Sequence, residues 1–351
     1  MVVFGSPAFT DQRQVLTELS DAYPNSKIIG CSTAGEIFGS TLNDNSLSVA
    51  VAQFEETELA IATAPVEHAN ESFAAGESIG RQLEHPSLRG VLVFSDGLQV
   101  NGSDLVQGLN SVLPSTVTVS GGLAADGDKF QQTWVLKDGQ PKSGVVSAVG
   151  FYGDKIRISH GSKGGWDIFG PERKVTRSLK NQLFELDGKP ALQLYKEYLG
   201  DRADGLPATA LLFPLALRLT AKEEKKIVRT ILAIDETSQS MTFAGDIPQG
   251  ALVQLMRANF DRLIDGASEA AVMSNQNFET PSAILSIAIS CVGRRLILGE
   301  RVEEELEATL DVLSPKAQQI GFYSYGEISP YATGHCDLHN QTMTLTTISE
   351  K

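Results

Sequence analysis

One spacing occurs three times in this chain and constrains its fold more than any other feature. A proline, a small residue and an acidic residue follow one another at intervals of six, as Pro24, Gly30 and Glu36, as Pro114, Ser120 and Asp126, and as Pro315, Gly321 and Glu327. Each proline ends a helical pattern, and each acid closes a loop after a short apolar strand. A fixed internal spacing predicts a repeated supersecondary unit, with the three acids at equivalent strand ends.

The strand and helix patterns around these positions predict the content of the unit. A strand, a helix, a second strand and a hairpin follow in order, twice clearly and once in a divergent copy. The hairpins are predicted at residues 47–63 and 145–159, and Pro248 predicts the start of a long helix. We therefore expect an α/β (α+β) fold, with mixed β-sheets flanked by helices and repeated strand–helix–strand–hairpin units in two halves.

Composition excludes several classes of partner. The net charge of −14 and the pI near 4.9 disfavour binding to nucleic acid or to an anionic membrane surface. The longest apolar runs are too short to cross a bilayer, and the three cysteines form no CxxC motif. Unpaired cysteines favour a reducing compartment, so we expect a cytoplasmic protein.

Common catalytic signatures are absent from the sequence. It contains no GxxxxGK[ST], GxGxxG, HExxH or GxSxG motif, so a non-catalytic protein is favoured. The alternative is a hydrolase-type enzyme that uses Cys31, at the end of a strand, or the loop carboxylates. For Cys31 the sequence favours a small buried residue in a tight loop over a nucleophile, because cysteine often behaves as a small hydrophobe.

The segment from His335 to His339 contains nitrogen and sulfur groups that can bind metal. His335, Cys336 and His339 form H-C-x-x-H, but a strand would point these side chains to different faces, and a closed zinc site needs a fourth ligand. Haem requires only one axial histidine, because the porphyrin supplies the other four nitrogen ligands. His339 and His335 are therefore candidates for that role.

Arg294 follows a strand in the segment CVGRR and has two interpretations. Its guanidinium could bind the carboxylate or phosphate of a ligand, or it could form a buried ion pair with a loop acid such as Glu327. The sequence favours neither.

Several motifs together resemble the FIST family, a bacterial sensory module with N-terminal and C-terminal FIST domains. They are GCSTAGEI, SDGL, GGLAAD, FELDGKPALQLYKEYLG, CVGRR…LGERVEEEL, GFYSYGEISP and CDLHNQTMTLT. The resemblance covers nearly the whole chain and implies a FIST N domain at 1–190, a FIST C domain at 191–334 and a closing strand at 335–351. Family members usually carry a further N-terminal helix, whereas this sequence begins at the first strand.

The resemblance also implies a function in signal transduction. It implies a sensor that binds an amino acid-like metabolite, or haem b and nitric oxide, and that signals to a histidine kinase of a two-component system or to a cyclic-di-nucleotide signalling protein. We expect a non-catalytic ligand sensor whose site is formed by Arg294, Tyr323, Tyr325, Glu327, Cys336, His339 and Asn340. A kinase adaptor that works without ligand is the third possibility.

Overall fold

Three copies of one strand–helix–strand unit form the frame of the protein. A computed structural model describes residues 1–10, 13–222, 226–275, 283–330 and 334–351. The first copy contains β1 Val2–Gly5, α1 Arg13–Ala22, β2 Ile29–Ser32, β3 Glu36–Phe38, β4 Thr41–Asn43 and β5 Leu47–Ala50. A linking strand and helix follow, β6 Glu58–Pro65 and α2 Ser72–Leu83.

The second copy has the same order of elements. It contains β7 Leu88–Ser95, α3 Gly102–Asn110, β8 Thr118–Leu123, β9 Val135–Lys137, β10 Gln140–Lys142 and β11 Val145–Tyr152, and it is followed by β12 Ile156–Lys163. The side chain of Asn101 caps α3 by accepting hydrogen bonds from the backbone N–H groups of Ser103 and Asp104. An asparagine at this position satisfies two donors that the first helical turn leaves unpaired.

An inserted segment separates the second copy from the third. It contains β13 Asp167–Leu179, β14 Gln182–Leu186, β15 Lys189–Pro190, α4 Ala191–Leu199, β16 Leu215–Arg218, β17 Ile227–Arg229, β18 Ile231–Asp235, β19 Ser240–Phe243 and β20 Leu252–Arg257. After α5 Phe260–Ser274 comes the third copy, with β21 Ile284–Cys291, α6 Val292–Leu298, α7 Val302–Leu310, β22 Ala317–Ser324, β23 Gly326–Pro330, β24 Cys336–His339 and β25 Met343–Glu350.

The three copies share one strand arrangement. In each, the first two strands are parallel, and the last strand runs antiparallel to the first. A glycine of the second strand touches the first strand in every copy. A Cβ atom at Gly30, Gly121 or Gly321 would lie 1.7 to 1.8 Å from a backbone oxygen of that strand. Gly121 rather than Ser120 is therefore the match of Gly30 and Gly321, one residue from the predicted register.

A second backbone feature recurs directly before the last strand of each copy. Asn45, Gly144 and Gln341 have φ angles of 56°, 65° and 57°. This left-handed conformation suits glycine and asparagine and is uncommon for glutamine. Three such residues at one structural position support the predicted repeat independently of the sequence spacing.

Each copy donates a hairpin to a neighbouring copy. The β3–β4 hairpin of the first copy pairs with β22, β9 of the second copy pairs with β2, and β23 of the third copy pairs with β8. The three mixed sheets are thus joined cyclically. Their inner faces meet at Phe4, Phe94 and Phe322, whose ring centroids lie 4.7 to 5.8 Å apart.

Two predicted hairpins are wrong. The strand β6 pairs with β11 instead of β5, and β12 pairs with β25 instead of β11. In both cases a strand with hairpin-like alternation crosses to the sheet of the next copy. Alternation reports that one face of a strand is buried, but it does not identify the strand beside it.

The inserted segment forms a separate eight-stranded sheet with its own core, on which α4 packs. Residue 190 lies within this sheet, in β15, which pairs with β14. The long helix predicted from Pro248 is wrong, because β20 occupies its first half and only α5 is helical. Among the described helices, none has the length and apolar character needed to span a membrane.

Candidate ligand-binding cleft

A cleft of about 840 Å³ lies where the inserted sheet meets the second and third copies. Its walls come from parts of the second copy (within 97–102 and 123–130), of the insertion (Asn181, 230–232, 243–246 and within 205–211), and of the third copy (within 291–296, with Tyr325 and Asn340). Most of the lining is apolar, as is typical of small-molecule sites, and the volume is in the range of such sites.

The floor of the cleft contains polar side chains without partners. Asn340 is fully buried, and neither its amide nitrogen nor its amide oxygen has a hydrogen-bond partner among the described residues. The hydroxyl of Thr230, which also lines the cleft, is buried and unpaired in the same way. Buried polar groups in folded proteins are nearly always hydrogen-bonded, so these two groups indicate a missing partner. A shallower hollow of about 600 Å³ near residues 137–145 is lined by none of these atoms.

One wall of the cleft is an aromatic pair. The rings of Phe130 and Tyr325 are stacked, with centroids 4.5 Å apart and planes inclined by 8°. The Tyr325 hydroxyl donates to Asp126, and it lies 2.9 Å from the backbone oxygen of Gly127. Burial acts to raise the pKa of Asp126, but hydrogen bonds from Tyr325 and from backbone N–H groups outweigh it and lower the pKa. Asp126 therefore holds this wall in place as a carboxylate.

Arg294 follows the lining residue Gly293 in sequence and forms an ion pair, but with Glu305 rather than Glu327. Its Nε and Nη2 atoms lie 3.0 and 2.8 Å from Glu305 Oε2, and both side chains are fully buried. The remaining guanidinium donors reach the backbone oxygens of Gly164 and Leu263. Tyr323 is also buried, and its hydroxyl donates to Glu305 Oε1 at 2.6 Å. Neither Arg294 nor Tyr323 lines the cleft.

Glu327 and Glu36 occupy equivalent positions and make equivalent contacts. Glu327 accepts hydrogen bonds from the Ser324 hydroxyl and from the backbone and side chain of Thr342. Glu36 is held likewise by Thr33 and by the backbone and side chain of Ser46. Both carboxyl groups thus fix the start of the last strand of their copy, which is a structural role.

The expectation of three equivalent acids is wrong for the second copy. Glu36 pairs with Phe322 and Glu327 pairs with Gly122, whereas Val135 fills the corresponding place opposite Cys31. Asp126 lies outside these ladders, in the loop beside Tyr325. The physical reason is the longer loop between β8 and β9, which moves the acid away from the strand pairing.

The pH dependence of stability should report the burial of Glu327. Burial raises its pKa to about 8, against the opposing effects of hydrogen bonds from Ser324 and Thr342 and of the charge of Arg294. Because the pKa in the folded state is above that in the unfolded state, this contribution to stability is fully present below about pH 4.5 and is lost as pH rises through 8. We expect the free energy of unfolding to fall by up to about 1.4 kcal/mol per pH unit from this group.

Urea unfolding of wild type and Glu327→Gln from pH 5 to pH 9 measures this effect. The slope should be smaller in Glu327→Gln, whereas Glu84→Gln, at an exposed position, should follow wild type. Parallel curves for wild type and Glu327→Gln would contradict the raised pKa.

The candidate metal and haem residues lie apart from the cleft. The Cys336 thiol donates to the Asn110 side chain, and His339 Nε2 lies 3.2 Å from the backbone oxygen of Ser329. Neither of them nor His335 lines the cleft, and the described residues contain no cluster of three metal-ligating side chains. Cys31 is fully buried beside the phenylalanine cluster, and burial raises the pKa of its thiol.

Of the residues predicted from sequence, Tyr325 and Asn340 line the cleft. Sequence reasoning missed Phe130 of the second copy and Thr230 and the other lining residues of the insertion. No sequence signal identifies them, because a lone threonine on a strand or a phenylalanine in a loop looks ordinary. Only the meeting of the insertion with two repeat copies brings them together.

Comparison with known proteins identifies the family. The FIST N domain matches residues 1–189, and the FIST C domain matches residues 191–330. An uncharacterized protein, MJ1623 of Methanocaldococcus jannaschii, is 22% identical over 90% of this chain, which spans 66% of that relative's length. The cyanuric acid hydrolase from A. caulinodans aligns with 84% of this chain and with 99% of its own chain, at 10% sequence identity. Its TM-score of 0.20 is too low to indicate a shared fold. Because the two domain matches cover nearly the whole chain, the protein belongs to the FIST family of sensory domains.

Proposed function

We propose that this protein is a non-catalytic sensor that binds a small metabolite in the cleft and signals to a partner protein. The observation that carries the proposal is the fully buried Asn340 amide, unpaired on both polar atoms, at the floor of an apolar cleft. Burying such an amide without partners costs free energy, which a bound ligand would recover. The resemblance described above favours a histidine kinase or a cyclic-di-nucleotide signalling protein as the partner.

The location of the cleft provides a way to transmit the signal. One side of the cleft belongs to the inserted sheet and the other to the second and third copies. A ligand would therefore contact both the insertion and the repeat copies. Since the Asn340 amide is shielded from solvent, a ligand reaches it only when the floor opens. Binding would therefore favour the open conformation over the closed one, as a sensor requires.

Haem and nitric oxide fit this cleft poorly. A haem group needs an axial ligand, but no histidine occurs among the described residues that line the cleft. Burial raises the pKa of the lining Cys291 thiol, which disfavours the thiolate that would bind iron, and the Tyr325 hydroxyl donates to Asp126. His339 instead lies against the backbone oxygen of Ser329. Protein purified in the presence of haemin should accordingly show no Soret band, and a band that is lost in His339→Ala would favour the haem sensor instead.

The enzyme alternative is also weakened by burial. Cys31 and the carboxylates of Glu36 and Glu327 are fully or almost fully buried, and protein donors occupy both carboxylates. Asp126, the third loop carboxylate, is also buried and accepts hydrogen bonds from Tyr325 and from backbone N–H groups. A hydrolase of the expected type would need Cys31 or one of these carboxylates to face substrate. Iodoacetamide should modify Cys31 only after unfolding, and rapid labelling of the folded protein would revive the enzyme hypothesis.

Substitution of Asn340 tests the proposed function through two opposite effects. We expect a panel of amino acids, amines, amides and nucleobases to contain a compound that stabilises wild type by about 2.7 kcal/mol at 100 times its Kd. Asn340→Leu should lose this stabilisation. Without ligand, its free energy of unfolding should be unchanged or about 1 kcal/mol higher, because an unpaired amide is removed. Thermal shift and urea unfolding measure both effects.

The matched control is Asn181→Leu. Asn181 also lines the cleft, but its amide donates to the backbone oxygen of Phe243 at 2.8 Å. We expect that this variant loses about 1 kcal/mol of stability without ligand. If Asn340→Leu is destabilised to the same degree and still binds, the Asn340 amide has a structural role and the proposal fails.

A further inference from the structure

The chemistry of the cleft restricts the class of ligand, an inference that rests on the proposed function. No lysine, arginine or histidine occurs among the described lining residues, whereas two carboxylates, Asp128 and Asp246, do. The Arg229 guanidinium lies beside the lining residues Gly245 and Asp246, but it donates to the backbone oxygens of Asp246 and Leu338. The Arg294 guanidinium donates to Glu305 and to backbone oxygens. With a net charge of −14 on the whole chain, this cleft repels anions.

The backbone donors beside the cleft do not compensate for the missing cations. The amino end of α3 would attract an anion, but the Asn101 side chain already accepts from its free N–H groups, and Asp104 adds a negative charge there. At the start of α6, the backbone N–H of Cys291 already donates to the backbone oxygen of Thr342 at 3.2 Å. Carboxylate and phosphate ligands therefore find only the neutral donors of Asn340 and Thr230 and no charged donor in the described lining.

The unpaired groups show what the ligand must offer instead. The Asn340 amide presents a donor and an acceptor side by side, and Thr230 adds a hydroxyl. The complement of a primary amide is a ligand edge on which an acceptor and a donor are also adjacent, as in a carboxamide, a lactam or a nucleobase. Leu123, Val292, Phe243 and the stacked aromatic pair provide apolar surface for the rest of the molecule.

We propose that the ligand is an uncharged compound with an amide-type edge on an apolar or aromatic body, and that Asn340 binds this edge through two hydrogen bonds. Anionic analogues of the same shape are excluded by the acidic, cation-free lining. This class includes free carboxamides and lactams as well as nucleobases, which share the same edge.

Matched pairs of compounds test the ligand class. Isothermal titration and thermal shift should compare benzamide with benzoate, nicotinamide with nicotinate, and uracil and adenine with their derivatives methylated on the pairing edge. For wild type we expect the unmodified amide, lactam or nucleobase to bind about tenfold or more tightly than its partner. If the nucleobases bind more tightly than the simple amides, the ligand is a nucleobase. If the simple amides bind more tightly, it is a carboxamide or lactam.

Two variants separate this inference from the proposed function. Asn340→Asp removes the donor and keeps the acceptor, so it should lose at least about tenfold in affinity for amides and gain relative affinity for benzamidine, a cation with two donors. Ala208→Trp fills the cleft from its rim and should block every ligand.

If carboxylates bind as tightly as amides and Ala208→Trp blocks them, the ligand class is wrong but the cleft still binds ligand. If amides bind equally to wild type and to both variants, the proposed site is wrong as well. If no amide, lactam or nucleobase binds at 10 mM, about the weakest affinity such a screen detects, the ligand class is overturned.

Discussion

Replacing Arg294 with leucine should lower the free energy of unfolding by about 3–5 kcal/mol. The substitution leaves Glu305 as an uncompensated carboxylate in a site that is fully closed to solvent. It also removes the donors that hold the backbone oxygens of Gly164 and Leu263. These contacts connect α6 with α7, with α5 and with the segment after β12, so the loss should affect the whole third copy. Urea unfolding monitored by circular dichroism measures the change.

A double variant and an exposed ion pair provide the controls. In Arg294→Leu/Glu305→Gln no buried charge remains, so we expect part of the lost stability to return. Arg301→Leu breaks exposed pairs with Asp261 and Glu304 and should cost less than about 1 kcal/mol. A loss below about 1 kcal/mol in Arg294→Leu would mean that the guanidinium is free, as a ligand-binding arginine would be.

Gly321→Ala should cost at least about 3 kcal/mol, at the upper end of what overpacking causes. The added Cβ would lie 1.7 Å from the backbone oxygen of Ala288, so the two parallel strands must separate. Backbone atoms cannot rotate away as a side chain can. Because Gly30 is in the same position against Val3, Gly30→Ala should be destabilised to a similar degree. Thermal and urea unfolding of both variants measure the cost.

The control for this prediction is Gly188→Ala. Gly188 has a φ of 76° but no atom within 4 Å of an added Cβ, so its substitution should cost only about 1 kcal/mol of backbone strain. If Gly30→Ala and Gly321→Ala cost no more than this control, the close approach that defines the repeated copies is not present in solution.

The repeat could be predicted from the sequence because its markers act locally. Proline ends a helix wherever it occurs, and a glycine is needed where two strands approach too closely for a side chain. The hairpins could not be predicted, since β6 and β12 cross to other sheets and their partner residues are 80 or more positions away in sequence. Local patterns contain no information about such pairings.

The candidate site was predictable only in part, for a similar reason. Asn340 and Tyr325 belong to motifs typical of the family, and both line the cleft. From the sequence, Arg294 suited ligand binding and a buried ion pair equally well. In the fold, Glu305, eleven residues later, pairs with it. Charged residues attract attention in a sequence, whereas an unpaired buried amide such as that of Asn340 becomes visible only when its surroundings are known.

The central claim is that the cleft at Asn340 is the ligand-binding site of the sensor. A crystal structure of the protein with the tightest-binding compound of the panel tests it most directly. We predict that the compound lies between the inserted sheet and Tyr325, with hydrogen bonds to both polar atoms of the Asn340 amide. A compound bound elsewhere, for example at His335 or His339, with the Asn340 amide still unpaired, would contradict the claim.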